Sequence, residues 1–326
     1  MKSFAGRIAV VTGGGSGMGR ELVRQLAAEG ASVAMCDVSR QAMDETRALC
    51  TQDGLAPGVA ITCHVVDVSD EAQVGRFREE VAADHATDRV HLLFNNAGIG
   101  AGGSLFTDSR ANWEKTFNVC WFGVYFMTRA FLPMLVKADE GHITNTSSVN
   151  GFFASLGAGT PHTAYSAAKF AVKGFTEALI TDLRVNAPHV KCSVVMPGYI
   201  GTNIVANSRM VLAGRDTPRL SDVEVRRARS RMRQQGGDDA AISDDDIRAR
   251  IQRQAQNFHD RAPTTAAEAA TIILGAVKAE RWRVLVGDDA HRLDARVRAN
   301  PEAAYDPEFG GLDSVTEISA SAPRLT

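Results

Sequence analysis

The sequence predicts an α/β fold with a doubly wound, parallel central sheet of seven strands. Three observations carry this. Short apolar runs alternate with longer amphipathic ones along most of the chain. The runs are apolar almost without interruption, as strands buried on both faces are. The first of them leads at once into a glycine cluster that opens a helix. Such alternation implies right-handed crossovers and a sheet covered by helices on both sides.

Residues 7–12 (RIAVVT) form a short β-branched run and the first strand. Leu22, Val23, Leu26 and Ala27 then fall at helical spacing, and Gly30 is the stop signal. Residues 32–36, 60–66, 90–94, 142–145 with their flanks, and 190–196 follow as strands, and residues 283–286 (RVLV) supply the seventh. From Val205 to Pro263 the chain turns polar, with arginines at 226, 227, 229, 231 and 233 and then Asp238, Asp239 and three more aspartates at 244–246. Ser243 with Asp246 is a capping-box pattern, and Ile247, Ile251, Ala255 and Phe258 mark one face of the helix that follows. Pro301, Pro307 and two adjacent glycines predict an extended or loosely ordered tail over 301–326, after a single domain spanning 1–300.

Composition narrows the function. Lys and Arg total 36 against 38 Asp and Glu, so a net charge of −2 gives no field to gather nucleic acid or an anionic membrane. The arginine block is followed by acids that cancel it and has no interleaved aromatics, so a solvated helix face is expected there. Five scattered cysteines (Cys36, Cys50, Cys63, Cys120, Cys192) without a CxxC pair argue against disulfides or a zinc ribbon. His64 beside Cys63 lacks further ligands at metal spacing, so no metal is expected. Gly6 and Arg7 break up the first apolar stretch, and no apolar run nears the roughly 18 residues of a membrane helix. A cytoplasmic protein is expected, with neither membrane nor nucleic acid as partner.

Two constellations carry chemistry. Residues 12–19 read TGGGSGMG between a strand and a helix. Backbone without Cβ can approach a pyrophosphate closely, and its amides then point at the anion together with the helix N-terminus. Gly13, Gly15, Ser16, Gly17, Met18 and Gly19 are the candidates. Asp37 ends the second strand, close to the spacing of about 20 residues expected for a carboxylate on a ribose 2′-hydroxyl. A carboxylate repels a 2′-phosphate, and no arginine stands just before Gly17 or just after Asp37. NAD is therefore expected over NADP. The second constellation is Tyr165 and Lys169, four apart at the start of a long helix and so on one face. A phenol titrates near 10, too high for a base at neutral pH, and a nearby cation is expected to favour the phenolate. Ser147 and Ser148 close a strand where a hydroxyl could donate to a substrate oxygen. Asn118 lies early in the helix after the fourth strand.

Together these residues resemble the short-chain dehydrogenase/reductase family, from about Gly6 to Thr202 and, with the seventh strand, to about Gly287. The matching pieces are TGGGSGMG, Asp37, Asp67-Val68, Asn95-Asn96-Ala97-Gly98, Asn118, Ser148, Tyr165 with Lys169, and Pro197-Gly198 followed by Thr202. The resemblance implies a Rossmann fold and a set of roles. Tyr165 would move the proton at the alcohol or carbonyl oxygen, Lys169 would hold the nicotinamide ribose and lower the tyrosine pKa, Ser148 would bond the reacting oxygen, and Asn118 would position a water. Gly13, Gly17 and Gly19 would carry the phosphates, Asp67 would contact the adenine, Asn95 and Gly98 would line the adenosine-side turn, and Thr202 would reach the carboxamide. Val68, Ala97, Pro197, Gly198 and Ile200 complete the expected cofactor contacts. Ser148 and Tyr165 stand farther apart than is common in the family, so Ser147 stays open as the alternative. The Phe117, Trp121, Tyr125 stripe reads as ordinary helix packing; the resemblance implies that its helix also packs against a second subunit of a homodimer or homotetramer, and that 203–263 is an enlarged substrate lid.

Asn150, Phe152, Phe153 and Tyr199 are expected to line the substrate site, with Leu156 and Ile200 close by. Such walls suit a lipophilic secondary alcohol or ketone, steroid-like, terpenoid or aromatic. Two other readings stand beside it. One is a reductase of coenzyme A-linked ketones, which would use the arginines. The other is a catalytically silent dinucleotide sensor.

Overall fold

The computed structural model describes residues 1–100, 103–156, 161–215, 220–234 and 242–310. Gly157 and Gly159 of the loop before Tyr165, Asp238 and Asp239, and residues 311–326 of the expected tail lie outside them. Seven strands form the main sheet: β1 (Ile8–Thr12), β2 (Ser32–Asp37), β3 (Ile61–Val65), β4 (Leu92–Asn95), β5 (Gly141–Thr146), β6 (Val190–Pro197) and β9 (Arg283–Val286). Their order is β3-β2-β1-β4-β5-β6-β9 and every pairing is parallel. This is a doubly wound Rossmann sheet, with the order reversing between β1 and β4. A separate two-stranded ribbon, β7 (Ile200–Gly201) with β8 (Thr264–Thr265), was not foreseen from the sequence.

Neighbouring residues on a strand serve opposite layers, which is why the strands read as unbroken apolar runs. Val11, Val33 and Met35 face one side, against Leu22 and Leu26 of α1 (Gly17–Ala28) and Ile273 and Leu274 of α10 (Ala266–Lys278). Val10, Leu93 and Ile143 face the other. They meet Val74 and Phe77 of α3 (Glu71–Asp84), Met127 and Phe131 of α5 (Gly123–Val136), and Leu179 and Leu183 of α6 (Thr163–Asn186). Burying one such side chain is worth about 1.5–3 kcal/mol. Helix starts are set locally: Ser39 caps α2 (Arg40–Asp53), Asp70 caps α3, Ser109 caps α4 (Arg110–Phe117), and Thr265 with Glu268 forms a full capping box on α10.

Helix α4 runs into α5 through a π-helical turn at Asn118–Phe122. Asn118 is therefore well inside a continuous helical stretch rather than early in a helix. By length and composition Arg110–Val136 could cross a membrane, a property hidden from a search for unbroken apolar runs. Half of its most apolar window is buried inside the fold.

Beyond β6, α7 (Ile204–Ala213) is followed by α8 (Asp222–Gln234) and α9 (Asp244–Asp260). The last two pair over a small core of their own: Leu220, Val225, Ala228 and Ile247, with Ile251 against it. Ser243 caps α9 through the amide of Asp246, as its pattern predicts. Helix α11 (Asp288–Ala299) closes the topology. The first ten residues of the expected tail are not extended: two 3₁₀ turns, Glu302–Tyr305 and Pro307–Phe309, bring Tyr305 and Phe309 onto Phe153. These aromatics bind residues 301–310 to the body.

His142 on β5 is 2% exposed, shares a 2.7 Å hydrogen bond with Ser193, and burial pushes its pKa down to about 4. The unfolded chain takes a proton near 6.5, so the neutral ring's contribution is whole above that pH and is lost as pH falls toward 4. We expect the urea midpoint to fall across this window, with His142→Asn flattening the drop by up to about 3 kcal/mol at pH 4.

Candidate active site

The carboxyl ends of β1, β2, β4, β5 and β6 converge at the point where strand order reverses, the crevice in which open α/β sheets bind ligands. The turn after β1 is fixed by close approach. Gly13 has φ +68°, and a Cβ on Gly19 would lie 2.0 Å from the Gly13 carbonyl oxygen, so only glycine lets the helix start pack on the turn. Arg20 donates to the Gly15 carbonyl, and the Thr46 hydroxyl to that of Gly14, holding the turn from outside. Met18 packs partly into the core, and Gly17 abuts the Thr202 methyl. Ser16 Oγ accepts from Asn207 of α7, a contact no sequence pattern announced.

Asp37 stands at the end of β2 as expected. Its carboxylate accepts from the amides of Gly15 (3.1 Å) and Ser39 (3.1 Å), while burial pushes its pKa up against those bonds. The glycine cradle and a carboxylate at its rim fit a dinucleotide: the close-packed turn leaves amides for phosphates, and the acid suits a ribose diol.

Asn95 and Gly98, among the expected cofactor contacts, are placed otherwise than expected. Asn95 is 2% exposed and points into the body, donating to Thr128 (3.0 Å) and Asn145 (2.8 Å); it ties β4 to β5 and α5 and does not line the turn. Its neighbour Asn96 reaches the turn instead, donating to the Thr12 carbonyl, while Thr12 Oγ1 accepts from the amides of Asn96 and Ala97. Ile200 is 4% exposed and belongs to the core. Gly98 lies beside the Lys169 ammonium, 3.5 Å from where its Cβ would be, rather than at the adenosine side. The Asp67 carboxylate is already paired with Lys115 at 2.5 Å and with Ser69. Val68 is buried over Gly123. Pro197 ends β6, and Gly198 bonds back to the Val286 carbonyl.

The Tyr165 ring and the Lys169 ammonium face each other, 5.4 Å from ring centroid to Nζ. Lys169 is buried and donates to the Thr146 carbonyl at 2.8 Å. The Ser148 hydroxyl, which accepts from the Asn150 amide at 3.1 Å, lies near enough to the Tyr165 phenol to favour its ionised form. Ser147, by contrast, is spent on the Lys169 carbonyl at 2.7 Å and is 1% exposed. Burial pushes the phenol up and the ammonium down; Cys120 adds to the first shift and opposes the second, while Ser148 opposes the first. His162 lies against Tyr165, ring centroids 4.7 Å apart, and burial pushes it down to about 4, so it is neutral at pH 7.

The expected substrate walls divide. Phe152 and Tyr199 are partly exposed, but Phe153 is wholly buried and Asn150 is 4% exposed, stapling the loop through the carbonyls of Phe153 and Ser155. A loop of this tightness turns alternate side chains inward, which sequence order could not show.

A doubly wound sheet with this cradle, acid and tyrosine–lysine pair defines the class of dinucleotide-dependent oxidoreductases. The profile described as short chain dehydrogenase matches residues 7–211. The chain belongs to that family, and is an NAD(P)-dependent oxidoreductase acting on CH–OH and C=O groups. A Mycobacterium tuberculosis protein, SadH, is 38% identical over 208 residues, 64% of this chain and 72% of its own length. Meso-2,3-butanediol dehydrogenase of Serratia marcescens is 35% identical over 201 residues, 62% of this chain and 74% of the enzyme. A Burkholderia phymatum short-chain dehydrogenase/reductase solved with NAD superposes with a TM-score of 0.72 at 29% identity, covering 93% of this chain and 95% of that one.

The Asn95 correction is testable. Asn95→Ala should cost about 1–3 kcal/mol of stability in urea titration, from buried partners left unpaired, while the NADH dissociation constant changes less than about twofold.

Proposed function

We propose that the protein interconverts a lipophilic secondary alcohol and its ketone with NAD, Tyr165 acting as general acid and base. The observation that carries this is the Tyr165 ring facing the buried Lys169 ammonium, with Ser148 near enough to the phenol to favour its ionised form. Tyr165 holds the proton that moves to or from the substrate oxygen, and Ser148 bonds the same oxygen. Ser147 is occupied by the Lys169 carbonyl, which favours Ser148 for that role. Lys169 binds the nicotinamide ribose, with Gly98 leaving room beside it. Asn118, at the π-helical turn, positions a water behind the lysine. The nicotinamide, when bound, accepts or supplies the hydride.

The raised phenol pKa suits proton donation to a carbonyl, so reduction needs no activation of Tyr165, whereas oxidation needs it deprotonated. The glycine turn, with Thr202 beside Gly17, binds the phosphates and carboxamide. Asp37 selects NAD by accepting from a diol and repelling a 2′-phosphate. Phe152 and Tyr199 supply the apolar walls, and the hairpin within 203–263 covers them. The relative that acts on a butanediol supports a secondary alcohol as the reacting group. Of the arginine block, Arg229 is already paired with Asp244, which speaks against its use for a coenzyme A ester. The intact tyrosine, serine and lysine set speaks against a silent sensor. Trp121, Tyr125 and Phe175 form an aromatic face with Phe122 and Phe170 exposed beside it, which supports a homodimer or homotetramer in a cytoplasmic setting.

Tyr165→Phe should lower kcat by about 10²–10⁴-fold with NADH binding retained, measured by absorbance turnover and fluorescence titration. Ser148→Ala should cost more kcat than Ser147→Ala in the same assay. Oxidation should climb with pH toward about 10 while reduction stays level before falling, following the proton on a phenol whose pKa is raised. Asp37→Ala should narrow the kcat/KM preference for NAD over NADP; a wild-type enzyme using NADP equally well defeats the cofactor assignment.

A further inference from the structure

The chain beyond β9 lies wholly outside the family match, which ends at residue 211, yet it reaches both apolar walls of the site. At the start of α11, the Asp289 carboxylate is 0% exposed and accepts from the Tyr199 amide at 2.7 Å. It fills the space beside Gly198 so closely that a Cβ there would lie 2.2–2.4 Å from its carboxyl atoms. The acid thus fixes the bend from Pro197 into Tyr199.

On the other wall, Tyr305 stacks on Phe153 (centroids 5.6 Å apart, planes 16° apart), and its hydroxyl accepts from the Ala154 amide at 3.0 Å. Phe309 packs on the same ring at 5.5 Å and is itself covered by the Arg296 guanidinium. Between these two anchors, Ala290 and Leu293 of α11 join Val149, Phe153 and Ala304 in a cluster separate from both faces of the main core. Val149 follows Ser148 directly, so this cluster also anchors the chain next to that serine hydroxyl.

We propose that Asp289 and Tyr305 are positioning residues of a C-terminal brace that holds the Tyr199 and Phe152 walls in place and thereby sets which alcohol or ketone fits. The inference rests on the function proposed above and deepens it. Neither residue touches the glycine turn, and Tyr305 stands on the wall opposite Gly198, so NADH affinity is independent of Tyr305. The brace acts on substrate fit, and secondarily on the placement of Ser148.

The test uses the full chain with Tyr305→Ala, Tyr305→Phe, Asp289→Ala and Asp289→Asn, a panel of lipophilic secondary alcohols of graded size, and NAD. We expect Tyr305→Ala and Asp289→Ala to raise substrate KM roughly five- to tenfold, with the NADH dissociation constant of Tyr305→Ala within about twofold of wild type. The conservative Asp289→Asn, which keeps an acceptor for the Tyr199 amide, should recover most of the loss. Tyr305→Phe keeps the ring and loses only the hydroxyl, so it should fall between wild type and Tyr305→Ala. Equal rises in substrate KM and NADH dissociation constant would show general softening and overturn the brace, as would an unchanged substrate KM. Amide exchange supplies a readout free of activity: Ala154 should exchange roughly tenfold faster in Tyr305→Phe, and an unchanged rate overturns the contact. A wild-type protein inactive on every alcohol and ketone would sink the functional reading, whereas exchange at Ala154 would still decide the brace.

Discussion

A lysine ammonium drawn almost wholly out of water is the constraint around which the site is arranged. Lys169 keeps one hydrogen bond to the Thr146 carbonyl and a tyrosine ring for company. Its charge is disfavoured by that burial, as is the charge of the phenolate beside it. Two groups that each resist ionisation make a pair in which the phenol keeps its proton and the ammonium gives one up more readily, until a third partner changes the field. The surrounding structure keeps the pair rigid. Ser147 binds the backbone of Lys169 itself, and a Cβ on Gly151 would strike both that hydroxyl and the Lys169 carbonyl. The end of β5, the turn after it and α6 are thus locked into one unit.

The same economy of space governs the cofactor side. The first turn of α1 sits on Gly13, Asn96 reaches across from the end of β4, and Arg20 and Thr46 hold the carbonyls from behind. None of these contacts uses a loop free to move by itself. Each element of the crevice is the terminus of a strand or helix whose other end lies in one of the two main core layers, so apolar packing far from the chemistry fixes the geometry near it.

How much of this was legible in the residues depends on what kind of information each feature needs. Strand positions were readable because parallel strands buried on both faces must be apolar throughout, and all seven fall where the β-branched runs lie. The tyrosine–lysine spacing was readable because helical periodicity alone sets two side chains on one face. Direction within a turn was not. Asn95 and Asn96 are adjacent and identical in type, and only the path of the chain after β4 decides that one joins the β4–β5 seam and the other the cradle. Phe152 and Phe153 divide for the same reason. The sign of the Tyr165 shift was also hidden, since spacing reveals a neighbour's charge but not the depth at which both groups sit. Asp289 left no signal, because its importance lies in a glycine ninety-one residues earlier in the chain.

The paired helices α8 and α9 have a different consequence. Their small apolar nucleus, built from Leu220, Val225, Ala228 and Ile247, is not shared with either layer against the sheet. A chain segment that carries its own nucleus can drift in length and character without weakening the scaffold beneath it. Heritable novelty in this enzyme therefore has a ready address: these two helices can be rewritten while the sheet and its two layers stay as they were.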